Sequence, residues 1–240
     1  TATISECICC RDDIMTYLIH KGMESLRSFK IMESVRKGKG LKPEDEAAMR
    51  EANVPEWYIA SCKKIKYLFP KAHAAAYVMM AWRIAYCKIF YPLAYYAAFF
   101  SIRASAFSYE IMCQGRDKLE YYLADYKKRS DTLSKKEQDT LRDMRIVQEM
   151  YARGFDFMPI DIYKAKARHF QIIDGKLMPS LSSIDGLGEK AAEAVVDAVK
   201  DGPFLSVEDF SSRTKVNGTI CSLMSDLGLL KDLPQSNQLN

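Results

Sequence analysis

Acidic residues are missing from a long stretch of this 240-residue sequence, since none occurs between Trp57 and Tyr109. The same stretch contains seven basic residues, although the net charge of the whole chain is only +4. Solvent-exposed helix faces usually mix both signs of charge, whereas a block of one sign indicates a partner of the opposite sign. The composition therefore favours an anionic partner such as phosphate over an ordinary solvated helix face.

Uninterrupted apolar segments are also missing. A membrane helix needs roughly 20 consecutive, predominantly apolar residues. The longest apolar run, from Ala72 to Phe90, is interrupted by His73, Arg83 and Lys88. The sequence therefore predicts no membrane partner.

Cysteine usage gives no sign of a disulfide framework, because the seven cysteines are odd in number and irregularly spaced. Cys7, Cys9 and Cys10 are spaced closely enough to resemble half of a metal-binding site. A zinc site needs a second pair of Cys or His ligands at suitable spacing, and the neighbouring sequence offers none. We therefore predict free structural thiols, no bound metal and a location in the reducing cytoplasm.

Glycine and proline are sparse, with 11 and 8 residues, and alternating β-branched residues are rare. Most of the chain is therefore predicted to be helical. The predicted helices include residues 71–90, 92–102, 109–129 and 134–153. Asp174 and Gly175 lie between two short apolar runs, which predicts a small β-hairpin. The expected fold class is mainly α with one β-hairpin.

A Gly-x-Gly turn leads into a predicted helix near the end of the chain. Without side chains at the two glycines, backbone N–H groups can converge on an anion, and the helix N-terminus adds partial positive charge. The turn, with a short helix predicted before it, resembles the helix-hairpin-helix motif of proteins that bind DNA without sequence specificity. The implied DNA-binding residues are Gly186, Leu187, Gly188 and Lys190. An ordinary glycine-capped helix junction is the alternative.

A second motif begins at Phe69-Pro70-Lys71. Pro70 starts a helix on which His73 and Tyr77 lie one turn apart, on the same face. An aromatic and imidazole face close to several lysines suits stacking on a base and pairing with phosphates. Spacing alone, however, favours a buried helix whose histidine and tyrosine belong to the core.

Several unusual strings resemble the fingers domain of C-family bacterial replicative DNA polymerases, and most closely the PolC-type alpha subunit of DNA polymerase III of Gram-positive bacteria. The resemblance covers nearly the whole chain. It is carried by Cys10–Met15, Ile31–Gly40, Pro55–Tyr58, Cys62–Tyr67, Lys71-x-His73-Ala74-Ala75-Ala76-Tyr77 and the Tyr91-Pro92 step.

The resemblance implies a division of labour within a DNA-directed DNA polymerase. Palm-domain acids that hold two Mg²⁺ ions for nucleotidyl transfer lie outside this sequence. The chain alone is then expected to bind no cofactor and to be inactive. Asp12 and Asp13 are interpreted as helix-capping residues, not as catalytic ones.

The fingers residues are implied to contact the incoming deoxynucleoside triphosphate (dNTP) and the template. The implied nucleotide-binding set is Arg11, Arg36, Lys37, Lys39, Phe69, Lys71, His73 and Tyr77. The implied DNA-binding set adds Lys63, Lys64, Lys66 and Arg83 to the Gly-x-Gly residues.

The predicted organisation is a fingers domain over residues 1–168, a helix-hairpin-helix region over 169–234 and a tail over 235–240. Gln238 and Leu239 match the start of the clamp-binding peptide that ends this family. The expected partners are primer–template DNA, dNTP, the sliding clamp and further replisome subunits. Two alternatives stay open: a stand-alone DNA-binding accessory module, which would not need the segment 71–77, and a helical replisome scaffold.

Overall fold

The computed structural model of the chain describes residues 3–236. The chain divides into two compact units, the first ending at Ala85 and the second beginning at Tyr86. The predicted boundary between residues 168 and 169 lies inside the second unit and stays a prediction.

The first unit is helical. Its helices are α1 (Arg11–His20), α2 (Ser25–Arg36), α3 (Pro43–Glu51), α4 (Glu56–Lys64) and the start of α5 (Lys71–Phe90). Gly22, with φ of +87°, separates α1 from α2. The core consists of apolar side chains from α1 to α4, among them Ile14, Leu18, Ile31, Val35, Met49, Tyr58 and Cys62.

Both members of the aspartate pair cap helix ends, which confirms the capping interpretation. The Asp13 carboxylate accepts hydrogen bonds from the N–H groups of Cys9 and Cys10, at 3.0 and 2.9 Å. The Asp12 carboxylate accepts one from the N–H of Lys71 at 2.7 Å. Asp12 thereby fastens the beginning of α5 to the beginning of α1.

Helix α5 has the predicted bounds but not the environment that its spacing favoured. None of its residues is buried. The side chain of Tyr77 is 68% exposed and that of Trp82 is 73% exposed. The interpretation of His73 and Tyr77 as core residues is therefore wrong for this chain.

The second unit continues with α6 (Pro92–Ile102), α7 (Tyr109–Met112), α8 (Arg116–Lys128) and α9 (Lys135–Ala152). Strands β1 (Gln171–Ile173) and β2 (Lys176–Met178) form the predicted antiparallel hairpin, with Gln171 opposite Met178. Positive φ at Asp174 and Gly175 supplies the tight turn. The chain ends in α10 (Glu189–Lys200), α11 (Val207–Thr214) and α12 (Gly218–Asp226).

One predicted helix, residues 109–129, is in fact two. Gly115 has φ of +93°, which a right-handed helix cannot include, and it becomes the N-cap of α8. The side chain of Ser108 caps α7 by accepting a hydrogen bond from the N–H of Ile111 at 3.3 Å. The five residues from Gln114 to Lys118 carry no apolar side chain, so this interruption of the apolar pattern, with Gly115 inside it, was the signal that could have revealed the break.

Two apolar clusters hold the second unit together. The first combines α6, α8 and α9 with the hairpin, through residues such as Tyr96, Phe100, Met144, Phe157 and Leu177. The second surrounds α10 to α12, through residues such as Leu181, Leu187, Val195, Phe210 and Met224. The mainly helical fold with one small β-hairpin is confirmed. No helix in the described part of the chain is long and apolar enough to cross a membrane.

Candidate nucleic-acid interface

The Gly-x-Gly turn connects a short 3-10 helix, Leu181–Ser183, to α10. Gly186 has φ of +83°, which favours glycine, and a Cβ there would lie 3.6 Å from the side chain of Ile220. Leu187 is buried and donates its N–H to the Ile184 carbonyl at 3.0 Å. We call residues 184–188 the first hairpin.

The N-terminus of α10 is open. Gly188 is its N-cap, has no side chain to cap the helix and has nothing within 4 Å of where a Cβ would stand. The N–H groups of residues 188–191 have no acceptor among residues 3–236, while the N–H of Ala192 bonds to the Gly188 carbonyl at 2.9 Å. Free N–H groups at a helix N-terminus are the groups that bind phosphate oxygens.

A buried serine that sequence reasoning missed holds the first hairpin. The hydroxyl of Ser108, which is 4% exposed, donates a hydrogen bond to the carboxylate of Asp185. The two residues are 77 positions apart, so no local pattern could have paired them.

A second hairpin with similar backbone geometry follows α11. Lys215 has φ of +59°, Val216 is buried, and Asn217 is the N-cap of α12. The Asn217 side chain accepts the Ile220 N–H at 2.9 Å, so this helix start is capped where that of α10 is open. The Asn217-Gly218 dipeptide before an apolar helix was the signal that could have revealed it.

A cleft of about 950 Å³ lies beside the first hairpin. Residues 186–189 line one side of it, and the loop 104–108 lines another. Lys136 and Arg168 contribute basic side chains to its lining, and His169 also lines it. Glu137, Asp185 and Glu189 line the same cleft, so the open helix start faces a groove with charged groups of both signs, among them the Arg168 guanidinium.

In the first unit, the segment that carries Phe69 is fastened to two helix ends. The Arg11 N–H donates to the Phe69 carbonyl at 3.0 Å, and the Leu68 N–H donates to the Arg36 carbonyl at 3.1 Å. These bonds bring the start of α1, the end of α2 and the start of α5 together. They gather the predicted nucleotide-binding residues at one end of the unit.

One carboxylate organises three of the predicted cations. Glu33 receives hydrogen bonds from two nitrogens of Arg36, of which Nη2 is 2.9 Å away, and its other contacts are Lys37 at 2.8 Å and Arg11 at 3.9 Å. Hydrogen bonds from Arg36 and Lys37 lower the pKa of Glu33 to about 2. Lys39, two residues after Lys37 in the sequence, is exposed. Sequence reasoning missed Glu33, although it stands within the Ile31–Gly40 string.

The predicted aromatic face exists as a stack of exposed rings. The Phe69 and His73 rings are 4.8 Å apart and nearly parallel, and the His73 and Tyr77 rings are 4.6 Å apart. Tyr67, a residue that the sequence did not single out, contacts Phe69 edge-on at 4.9 Å. Phe69 is 53% exposed. Lys71 is exposed at the first position of the same helix.

The remaining predicted residues do not form one group. Lys63 is paired with Glu46 at 2.8 Å, while Lys64, Lys66 and Arg83 are exposed. All four belong to the first unit, whereas the first hairpin and Lys190 belong to the second. Gln238 and Leu239 lie outside the described residues.

Comparison with known proteins shows what the chain is similar to. A family model described as a helix-hairpin-helix motif matches residues 154–239. Over essentially its whole length the chain is similar to proteins named DNA polymerase III PolC-type: 49% identical in Listeria monocytogenes, 48% in Thermotoga maritima and 45% in Caldanaerobacter subterraneus. The match covers 99–100% of this chain but 17% of each relative, so the chain spans about one sixth of their length. Over essentially its whole length the chain therefore matches one segment of PolC-type DNA polymerase III proteins, and its residues 154–239 match the helix-hairpin-helix motif.

Proposed function

We propose that this chain is a non-catalytic part of a DNA-directed DNA polymerase. Its second unit grips the primer–template duplex, and its first unit contacts the incoming dNTP and the template. The observation that carries the proposal is the open N-terminus of α10, which lies inside the segment that matches the helix-hairpin-helix motif.

Duplex binding follows from the groups that the first hairpin offers. Gly188 leaves the N–H groups of the first turn of α10 accessible, and Lys190 adds an exposed positive charge. A phosphate oxygen can accept these hydrogen bonds whatever base its nucleotide carries, so the contacts provide affinity that does not depend on the DNA sequence. Such non-specific grip suits a polymerase that must hold every duplex that it makes.

Nucleotide binding follows from the aromatic stack and the cations beside it. The exposed rings of Phe69, His73 and Tyr77 offer flat surfaces for a base. Arg11, Arg36 and Lys37 outnumber the single Glu33 carboxylate that they surround, so the cluster keeps a net positive charge for phosphate oxygens. This combination supports a dNTP or template role better than a scaffold role, which needs neither group.

Catalysis is assigned to another part of the polymerase. Asp12 and Asp13 already accept backbone hydrogen bonds at two helix ends, so they do not fit as a pair of metal ligands. The described residues contain no group of three or more His, Cys, Asp or Glu side chains placed to hold a metal ion. We assign the Mg²⁺ ions of the polymerase to acids outside this segment.

The test is duplex binding by this chain, measured by fluorescence anisotropy on two duplexes of unrelated sequence. Gly188 has an ordinary φ of −65° and open surroundings, so Gly188→Val should fold normally while its side chain obstructs the phosphate. We expect the parent to bind both duplexes alike, with affinity that falls steeply with salt. Gly188→Val should bind more weakly.

Gly186→Val is a poorer probe, because its positive φ and the nearby Ile220 side chain make any loss of folding hard to separate from loss of binding. Thermal melting of each variant provides the control. Equal affinity of a folded Gly188→Val variant and the parent would remove the hairpin from the DNA site. A parent chain that does not bind duplex at all would favour the scaffold alternative.

A further inference from the structure

Arg168 has a fixed place beside the first hairpin. The Leu181 N–H donates to the Lys166 carbonyl and the Ser182 N–H donates to the Ala167 carbonyl, both at 3.0 Å. These bonds run alongside the 3-10 helix that precedes the hairpin. The backbone just before Arg168 is therefore held against the helix-hairpin-helix element itself.

The Arg168 guanidinium lies at the open N-terminus of α10. Its Nη2 lies 3.2 Å from the carboxylate of Glu189, the first residue of α10, and 2.8 Å from that of Glu193. The Glu189 carboxylate repels a phosphate bound at this helix N-terminus, since both groups are anions. Arg168 neutralises that carboxylate at the place where the first hairpin exposes its N–H groups.

Most of the hydrogen-bonding capacity of this guanidinium is unused. Both carboxylates are reached by the same nitrogen, and the Nε and Nη1 groups have no acceptor within residues 3–236. The side chain is about half exposed, at 49%, and it lines the same cleft as residues 186–189. Exposed ion pairs of this kind contribute little to stability, so exchanging one partner for another costs little.

We propose that Arg168 is a phosphate ligand of the duplex site. In the free chain Glu189 and Glu193 hold its side chain next to the first hairpin. When duplex DNA binds, the guanidinium donates hydrogen bonds from its free N–H groups to one backbone phosphate. That phosphate is adjacent to the one bound by the N–H groups at the N-terminus of α10. This inference rests on the proposed duplex-binding function and adds to it a ligand that the Gly-x-Gly motif does not include.

The test compares four variants with the parent across a salt titration, using a short fluorescent duplex. Arg168→Ala should weaken binding roughly tenfold at low salt, because a charge-assisted hydrogen bond is lost. The slope of log affinity against log salt should become shallower by about one, because one fewer phosphate is neutralised. Arg168→Lys keeps the charge and should retain the parental slope while losing part of the affinity.

The matched control is Lys200→Ala. It also removes one exposed cation from an ion pair, at 2.6 Å from Asp197, but at the other end of α10. It should leave the slope and the affinity close to those of the parent. The fourth variant, Arg168→Ala combined with Glu189→Gln, removes the carboxylate as well as the cation.

If Arg168 contacts phosphate directly, the double variant stays weaker than the parent and keeps the shallower slope. Full recovery in the double variant, or an unchanged slope in Arg168→Ala, overturns the inference, because Arg168 would then only neutralise Glu189. Failure of the proposed function looks different. In that case the parent does not bind duplex, or Gly188→Val binds as tightly as the parent.

Discussion

Replacing Gly38 by alanine adds a single carbon where two backbone segments of the first unit meet. The new Cβ would stand 2.4 Å from the carbonyl oxygen of Lys66 and 3.1 Å from its carbonyl carbon. These are backbone atoms, and the segment that carries them is anchored by the hydrogen bond between Leu68 and Arg36. Relief therefore requires the backbone to move, not a side chain to rotate.

Gly40 provides the matched comparison in the same loop. Its φ is +70° against +71° for Gly38, but nothing lies within 4 Å of its Cβ position. Both alanine variants carry the cost of a left-handed backbone, roughly 1–2 kcal/mol. Only Gly38→Ala adds the steric clash, which in packed regions costs typically about 1–3 kcal/mol more.

The expected result is that Gly40→Ala lowers the free energy of unfolding by about 1 kcal/mol. Gly38→Ala should lower it by about 3 kcal/mol. Urea unfolding followed by tryptophan fluorescence measures both, since Trp57 lies in α4 of this unit. In the intact polymerase, Gly38→Ala should in addition raise the KM for dNTP, because the displaced segment carries Phe69. Equal destabilisation by the two variants would show that the close approach to Lys66 does not constrain the fold.

Three other outcomes are expected. In the intact polymerase, His73→Ala or Tyr77→Ala should lower kcat/KM for dNTP about 5- to 150-fold, the equivalent of roughly 1–3 kcal/mol of stacking; unchanged kinetics in a folded variant would remove that residue from the site. Tyr58→Phe should raise the free energy of unfolding by about 1 kcal/mol, because its buried hydroxyl has no partner within the described chain, and a lower value would show that a partner exists. Primer extension by the chain alone with Mg²⁺ should not exceed a no-protein control, whereas extension lost on substitution of Asp12 and Asp13 would contradict the capping role.

Local chemistry was enough to predict several elements of the fold. Pro70 and Pro92 mark helix starts, and α5 and α6 begin next to or at them. The Asp174-Gly175 turn is found where the sequence placed it. In each case one or two residues restrict the backbone by themselves, so no knowledge of distant neighbours was needed.

Contacts between residues that are far apart in the sequence could not be predicted from it. The partner of Asp12 is 59 positions away at Lys71, and the partner of Ser108 is 77 positions away at Asp185. Neither pair leaves a periodic trace, since only chain packing brings the groups together. The spacing of α5 by itself favoured burial for a related reason, whereas the predicted aromatic face required exposure: apolar composition does not show whether a helix packs inside its own unit.

The exposure of α5 gives the protein a spectroscopic probe of its own. A helix of 20 residues is about 30 Å long, and Trp82 projects from it with 73% of its surface in water. The indole should therefore emit at the long wavelengths typical of hydrated tryptophan. Any molecule that covers this helix, whether another part of the polymerase or a second copy, would shift the emission to shorter wavelengths. Trp57 can be replaced by phenylalanine to leave Trp82 as the single reporter, since the chain has 2 tryptophans.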